Sequence, residues 1–238
     1  MRNFYSLVLL LISFCLFSCQ KDEMLYSCDS QIEKWAIENK SEINKMTRKQ
    51  FLEINNFSIK KAAYRAFTFE NKQEVWREKY RELETLDWSE AEWKHISLIY
   101  SLVLSDERNS ILRAKDVEED DNLLIFSYRW EDYAKTTLGW TRKQIYAICY
   151  TVEKVMNKQG DLDVQIEQRT ENLARNETGG SGFECSCSQK SSYCDIIDHE
   201  GPAYTTCKTP NGGGCKVTSG CGLFWQFDCD GMCLGLHV

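Results

Sequence analysis

The sequence predicts a mainly α-helical protein whose N-terminal helical domain is followed by a small disulfide-rich module with short β-strands. The chain has only two prolines, both after residue 200, and the long stretch before them is rich in Glu, Lys, Leu and Ile, which favour helix. Apolar residues in that stretch recur at helical spacing. Eight of the twelve cysteines lie between residues 185 and 233, in the same region as most glycines.

The N-terminus has the layout of a secretory signal peptide. One arginine precedes an apolar run over residues 7–17, which is too short to cross a bilayer comfortably as a mature helix. The run ends Leu16-Phe17-Ser18-Cys19, which resembles a bacterial lipobox. We interpret residues 1–18 as a lipoprotein signal peptide and Cys19 as the lipidated residue; an ordinary signal peptide is the alternative.

A charged tether over residues 19–28 is expected to follow the lipid. Its start, Gln20-Lys21-Asp22-Glu23, resembles the surface-export signal of Bacteroidota lipoproteins. Each buried methylene of an acyl chain adds about 0.8 kcal/mol of membrane affinity. We therefore expect an outer-membrane lipoprotein exposed at the cell surface, with the membrane as a partner. The net charge of −7 argues against nucleic acid as a partner, because nucleic-acid binding needs a basic face.

Residues 29–175 are predicted to form the helical domain. Start signals of the capping-box type are followed by apolar stripes that can pack against each other. The boxes are Ser30 with Glu33, Thr47 with Gln50, Ser89 with Glu92, and Thr141 with Gln144. The stripes are Ile32, Trp35 and Ala36; Ile59, Ala62, Ala63 and Phe67; Phe69, Trp76, Tyr80 and Leu83; Trp93, Ile96, Tyr100 and Val103; and Ile145, Ile148, Val152 and Val155.

Some segments of this domain leave alternatives open. Residues 123–130 are apolar and tolerate either helix or strand, and we favour helix. The acidic stretch 116–121 lacks the glycine of a calcium loop and is interpreted as a solvated connection. A disulfide between Cys28 and Cys149 would tie the start of the domain to its end, with two free thiols as the alternative.

Residues 176–182 form a Gly-rich linker by composition. We interpret Gly179-Gly180 mainly as a hinge, because the double-glycine leaders that the pair resembles are short and lack a secretion signal. Proteolytic processing at this exposed position is the alternative.

The remaining residues, 183–238, are too few to support a large hydrophobic core, so disulfides must compensate. An exported, even set of cysteines indicates such a framework, with short antiparallel strands expected around 204–207 and 223–227. Zinc is the weaker alternative, because the segment has no pair of Cys-x-x-Cys knuckles, and we expect no metal and no cofactor. The framework comprises Cys185, Cys187, Cys194, Cys207, Cys215, Cys221, Cys229 and Cys233.

The Cys-rich module resembles the fulvocin C-related bacteriocins. The resemblance rests on Cys185-Ser186-Cys187-Ser188, Ser192-Tyr193-Cys194 and Gly220-Cys221-Gly222 with Trp225 and Cys229, and it covers under a quarter of the chain. The gap between Cys194 and Cys207 is longer here than in that family. The resemblance implies a four-disulfide antibacterial module, and a bacteriocin implies an envelope receptor on competing cells and an immunity protein.

Charge and composition limit how such a module could act. Residues 183–238 hold six acidic and three basic residues, so binding an envelope component fits better than lysis of anionic membranes. Tyr204, Phe224, Trp225 and Phe227 are the expected contact face, or else the small core of the module. A non-toxic adhesion or ligand-binding lipoprotein is the alternative function. We expect that the protein is not an enzyme. It has three histidines, and the Glu92-x-x-His95 spacing occurs once, whereas di-iron bundles use this spacing twice.

Overall fold

The computed structural model describes residues 26–27, 29–113, 120–163, 185, 187–191, 206–208 and 217–234. The predicted fold class, mainly α with short C-terminal strands, is confirmed. The helices are α1 (Ser30–Glu38), α2 (Lys40–Ile43), α3 (Arg48–Leu52), α4 (Phe57–Ala66), α5 (Phe69–Glu84), α6 (Glu90–Leu104), α7 (Asp121–Thr136) and α8 (Arg142–Cys149). Ile111–Arg113 and Leu223–Trp225 form 3-10 turns. The linker at 176–182 and the processing position at Gly179-Gly180 lie outside the described residues, as does Cys19.

Side-chain caps set where several helices begin. Thr47, Ser89 and Thr141 each form the predicted capping box, in which the cap hydroxyl and the Gln or Glu three residues later exchange bonds with backbone N–H groups. The box predicted at Ser30 is wrong by one residue. Asp29 is the cap there, because its carboxylate accepts two N–H bonds from the first turn of α1.

Two further helix predictions have different outcomes. The apolar segment 123–130 is helical and lies within α7. The stripe that begins at Ile145 is buried along its whole length, but α8 ends at Cys149. Val152 and Val155 lie in an extended segment, and Val155 forms a β-bridge with Leu162. The β-branched Thr151 and Val152 favour this extended backbone.

The Cys-rich end carries short antiparallel strands. β1 (Thr206–Lys208) pairs with β4 (Met232–Leu234), and β2 (Thr218–Cys221) pairs with β3 (Phe227–Cys229). The strand predicted over 223–227 is therefore wrong for residues 223–225, which turn the chain between β2 and β3. Their side chains join the helical core instead of a sheet face.

The helices and the turn between β2 and β3 share one hydrophobic core. Its largest fully buried side chains include aromatic residues of α3, α4, α5, α6 and α8 together with two phenylalanines of the Cys-rich end. Burial of a large apolar side chain stabilises a fold by roughly 1.5–3 kcal/mol, so this shared core joins the two parts energetically. Within the described ranges, no helix has both the length and the apolar character needed to cross a bilayer.

Candidate functional site

We call residues 185–234 the Cys-rich segment. Disulfides crosslink the part of this segment that the structure describes. Cys187 bonds to Cys207, and Cys221 bonds to Cys229 across the β2–β3 pair. Cys185 is also disulfide-bonded and packs beside the Cys221–Cys229 bridge. These pairings support the predicted crosslinking framework. In the described residues, no group of three or more His, Cys, Asp or Glu side chains is placed to hold a metal.

The turn between β2 and β3 inserts two aromatic side chains between the helices. Phe224 lies edge-on to Trp76 of α5 and Tyr100 of α6, with ring centroids 4.8 and 5.2 Å apart. Trp225 lies edge-on to Tyr64 of α4, with centroids 5.1 Å apart. Such edge-to-face pairs add about 0.5–1.5 kcal/mol beyond the area they bury. We call the four helical rings around this pair, those of Phe57, Tyr64, Trp76 and Tyr100, the aromatic cradle.

The backbone of this turn adopts a conformation that few residues tolerate. Phe224 and Trp225 have φ values of 50° and 58°, in the left-handed region that side chains disfavour. Gly222 precedes them with a φ of 66°, and a Cβ there would lie 2.7 Å from the Cβ of Ser191. Such a backbone persists where surrounding contacts determine it, and here the cradle supplies them.

Hydrogen bonds from the helices fix the position of the turn. The hydroxyl of Tyr64 donates to the carbonyl of Phe224 at 3.2 Å and accepts from the indole N–H of Trp76 at 2.8 Å. The indole N–H of Trp225 donates to the carbonyl of Tyr150 at 3.2 Å. Burial raises the pKa of Tyr64 well above its usual range, so the hydroxyl keeps the proton that it donates.

Two cations of α4 contact strand β2 and its disulfide. The ammonium of Lys61 lies 3.0 Å from the sulfur of Cys221 and 3.5 Å from that of Cys229. The guanidinium of Arg65 donates to the carbonyl of Ser219 at 2.5 Å and to the hydroxyl of Thr218 at 2.8 Å. Both cations are buried, and Arg65 also donates to the carbonyl of Tyr26, so it joins both ends of the described chain to α4.

A second group of buried cations holds the segment that follows α8. Lys60 pairs with Glu153 at 2.8 Å, with both side chains almost fully buried. Lys79 donates to the carbonyls of Thr151 and Glu153. Arg48 pairs with a carboxylate of α5 and donates to the carbonyl of Val152 at 2.9 Å. These bonds place residues 150–153 where Tyr150 can accept from Trp225.

The burial of these cations is not predicted by the sequence patterns. Lysine and arginine are usually exposed, and an apolar stripe on α4 predicts one buried face only. In the structure, the residues of α4 from Lys60 to Ala66 are buried on every side of the helix, because neighbouring helices and strand β2 pack against it. A signal was present in Lys60-Lys61-Ala62-Ala63, because small residues beside the lysines permit close packing on several faces.

A polar cavity of ≈ 480 Å³ lies between α3, α5 and the residues after α8. Its lining carries both charges, among them Lys49, Glu53, Glu78 and Lys154. The four cradle rings are not among its lining residues, so the cavity is separate from the aromatic cradle.

The predicted contact face on the surface is not present in this structure. Phe224, Trp225 and Phe227 have relative exposures of 0, 4 and 0 %, and all three belong to the core shared with the helices. The interpretation as the module's own core also fails, because most of the rings that cover them come from helices. Tyr204 lies outside the described residues.

The disulfide predicted between Cys28 and Cys149 is also wrong. Cys149 is a free thiol, buried in α8, and it donates to the carbonyl of Ile145 at 3.5 Å. It belongs to the buried core of the helices. Cys28, Cys194 and Cys215 lie outside the described residues, and Cys233 belongs to β4.

Glu92 and His95 have structural contacts. Glu92 completes the cap of α6 and pairs with Lys158 at 3.0 Å. His95 stacks on Trp130 with ring centroids 4.6 Å apart, and the two residues exchange hydrogen bonds with each other's carbonyls. Burial lowers the pKa of His95, which favours the neutral form of the ring.

The state of Cys149 can be tested by thiol labelling. Burial raises the pKa of this thiol well above its usual value, so the reactive thiolate is scarce and inaccessible in the folded chain. We expect a maleimide to label Cys149 only after unfolding without reductant, and a Cys149→Ala variant to lose that label. A disulfide-linked peptide pair containing Cys28 and Cys149 would contradict the assignment.

The buried Lys79 predicts a specific pH dependence of stability. Burial, with a smaller contribution from nearby Arg48, lowers the pKa of Lys79 from 10.5 to about 7 in the folded chain. The unfolded chain therefore binds more protons above pH 7, and the stability from this group rises with pH by up to about 1.4 kcal/mol per unit. The carboxylates of Glu153 and Glu82 face the same ammonium and oppose its deprotonation.

Urea unfolding between about pH 7 and pH 9 measures this effect, since tyrosine titrates mainly above that window, and the thiol of Cys149, which titrates within it once unfolded, is present in both the wild type and the variant. We expect Lys79→Met to give a flatter dependence than the wild type, although its overall stability will be lower. Lys72, whose pKa burial lowers to about 8, is present in both chains and cancels from the comparison. Equal slopes for the two chains would contradict the burial of a titrating Lys79.

Comparisons with known proteins identify no relative. No protein family, no curated protein and no solved structure matches this chain.

Proposed function

We propose that the protein is a surface-anchored, bacteriocin-like lipoprotein whose Cys-rich segment acts on competing bacteria by binding an envelope component. The observation that carries the proposal is the crosslinked segment itself, with the pairs Cys187–Cys207 and Cys221–Cys229. These cysteines lie in the stretch whose motifs resemble the fulvocin C-related bacteriocins. The lipobox-like sequence at Cys19 supports delivery to the outer-membrane surface, with the lipid holding the chain there.

Binding is a better proposal than membrane lysis for this segment. Lysis of anionic bilayers relies on cationic, amphipathic surfaces, and residues 183–238 carry a net charge of −3. A loop fixed by disulfides loses little conformational entropy on binding, which favours recognition of a defined receptor. A producing cell would then need an immunity protein or another way to keep the segment inactive.

A second candidate is a non-toxic recognition lipoprotein on the cell surface. The burial of Phe224, Trp225 and Phe227 favours it, because the described segment lacks the exposed aromatic patch that a free bacteriocin module would offer. In this case the helices act as a scaffold for the crosslinked loops, and the outward surface of those loops binds a ligand.

A growth-inhibition assay combined with a binding assay distinguishes the two functions. We expect the oxidised soluble chain (residues 20–238) to slow the growth of related bacteria at micromolar concentration. A Cys221→Ser/Cys229→Ser variant should lose at least about tenfold in potency, because the receptor-binding loop is no longer pre-organised. Binding to envelope extracts without inhibition across a broad panel of strains would reject the bacteriocin proposal and select the recognition lipoprotein.

A further inference from the structure

The largest apolar groups at the end of the Cys-rich segment are covered by the helices. Phe224 and Trp225 fill the aromatic cradle, and Phe227 is fully buried next to them. Large aromatic side chains supply most of the binding free energy at protein interfaces. If the segment acts on a receptor through them, it cannot do so in the arrangement that the structure describes.

We propose that the helical domain is a built-in inhibitor that binds the β2–β3 turn and lowers the potency of the Cys-rich segment until the turn is displaced. This inference rests on the proposed bacteriocin function and deepens it by assigning the regulation of the same segment.

The helices bind main-chain atoms of the loop. Tyr64 donates to the carbonyl of Phe224, and Arg65 donates to the carbonyl of Ser219. The helices therefore recognise the backbone conformation of this loop as well as its aromatic rings.

The backbone conformation of the turn also depends on the helices. Phe224 and Trp225 both lie in the left-handed region, which is unfavourable for residues with a side chain unless surrounding contacts stabilise it. The cradle therefore stabilises one conformation of the loop, and a loop outside the cradle has other conformations to adopt. The conformation that binds a receptor need not be the one that the helices hold.

Buried cations of α4 also hold strand β2. Lys61 and Arg65 lie against this strand and its disulfide, where they bond to sulfur and oxygen acceptors. Hydrogen bonds from a charged donor are stronger than those between neutral groups, so they favour retention of a segment that has been cut from its carrier. Cleavage before residue 185 would therefore be insufficient for release.

A cleavable full-length chain tests this inference. A specific protease site is placed at 179–182 of the soluble chain, in a Cys28→Ser background so that this thiol cannot join the two parts. A denaturing, non-reducing gel confirms both cleavage and the absence of a covalent link. We expect the two cut parts to elute together from a sizing column in native buffer.

A second variant loosens the cradle without changing the Cys-rich segment. Tyr64→Phe with Arg65→Gln removes the bonds to both carbonyls and keeps the ring that packs on Trp225. We expect the cut variant to dissociate at least tenfold faster than the cut wild type and to inhibit growth at about tenfold lower concentration. Tyr128→Phe, on the exposed face of α7, is the matched control and should behave as the wild type. Circular dichroism confirms that each variant is folded.

The outcomes separate the inference from the proposed function. Immediate separation of the cut wild-type parts overturns the inference, whatever their effect on bacteria. Equal inhibition by intact, cut and loosened chains also overturns it, but leaves the bacteriocin function supported. Stable association with no inhibition by any form rejects the bacteriocin function, and the inhibitory role fails with it.

Discussion

Replacing Phe224 with alanine is expected to lower the free energy of unfolding of the soluble chain by about 3–5 kcal/mol. The ring is fully buried against Trp76 and Tyr100, so alanine leaves a cavity lined by two helices. The free-energy cost of the left-handed φ at this position changes little, because alanine and phenylalanine both disfavour that region. The loss of stability should therefore measure the packing of the ring.

The informative readout is the helical circular dichroism signal during urea unfolding. Phe224 belongs to the Cys-rich segment, yet its loss should destabilise α5 and α6, because they share its core. Tyr128→Ala, at 72 % relative exposure, is the control and should change stability by less than about 0.5 kcal/mol. An unchanged helical transition for Phe224→Ala would show that the segment does not stabilise the helices.

Replacing Glu153 with glutamine is expected to cost about 3–5 kcal/mol, because it leaves the ammonium of Lys60 buried without its counter-charge. The side chains of this pair are 5 and 3 % exposed, so solvent cannot compensate. The same change weakens the attraction of Glu153 for Lys79. Residues 150–153 should become more mobile. They include Tyr150, whose carbonyl accepts the hydrogen bond from the indole of Trp225.

Two comparisons make this prediction specific. The double variant Lys60→Met/Glu153→Leu removes both charges and should recover most of the lost stability, since a buried pair is often replaceable by apolar side chains. Glu38→Gln breaks an exposed pair with Lys34, at 60 and 74 % side-chain exposure, and should cost less than about 1 kcal/mol. Equal losses for Glu153→Gln and Glu38→Gln would contradict the buried pair.

Local signals in the sequence predicted the local structure well. Thr47, Ser89 and Thr141 cap their helices as expected, because a capping box depends on residues three positions apart. The apolar stripes of α5 and α6 predicted which faces are buried, because the period of a helix is fixed. The shift of the first cap to Asp29 reflects a competition between neighbouring cap residues of similar strength.

Contacts between distant parts of the chain could not be predicted in the same way. The sequence predicts Phe224 and Trp225 either on a contact face or in a small core of the module, and both interpretations treat the Cys-rich segment in isolation. Their partner Tyr64 lies 160 residues earlier than Phe224, and no periodicity relates such positions. The burial of Lys61 and Arg65 depends on the same long-range packing, as does the burial of Cys149.

Hydrogen exchange of the intact soluble chain tests most directly whether the helices and the Cys-rich segment share one core. The amides of Trp225 and Gln226 are bonded to carbonyls within their own turn. Without the cradle, so short a turn would exchange within seconds to minutes. We expect these amides to exchange as slowly as those in the centre of α4, within about tenfold, because both open only with the shared core. Fast exchange at Trp225 and Gln226 while α4 and α5 stay protected would contradict it.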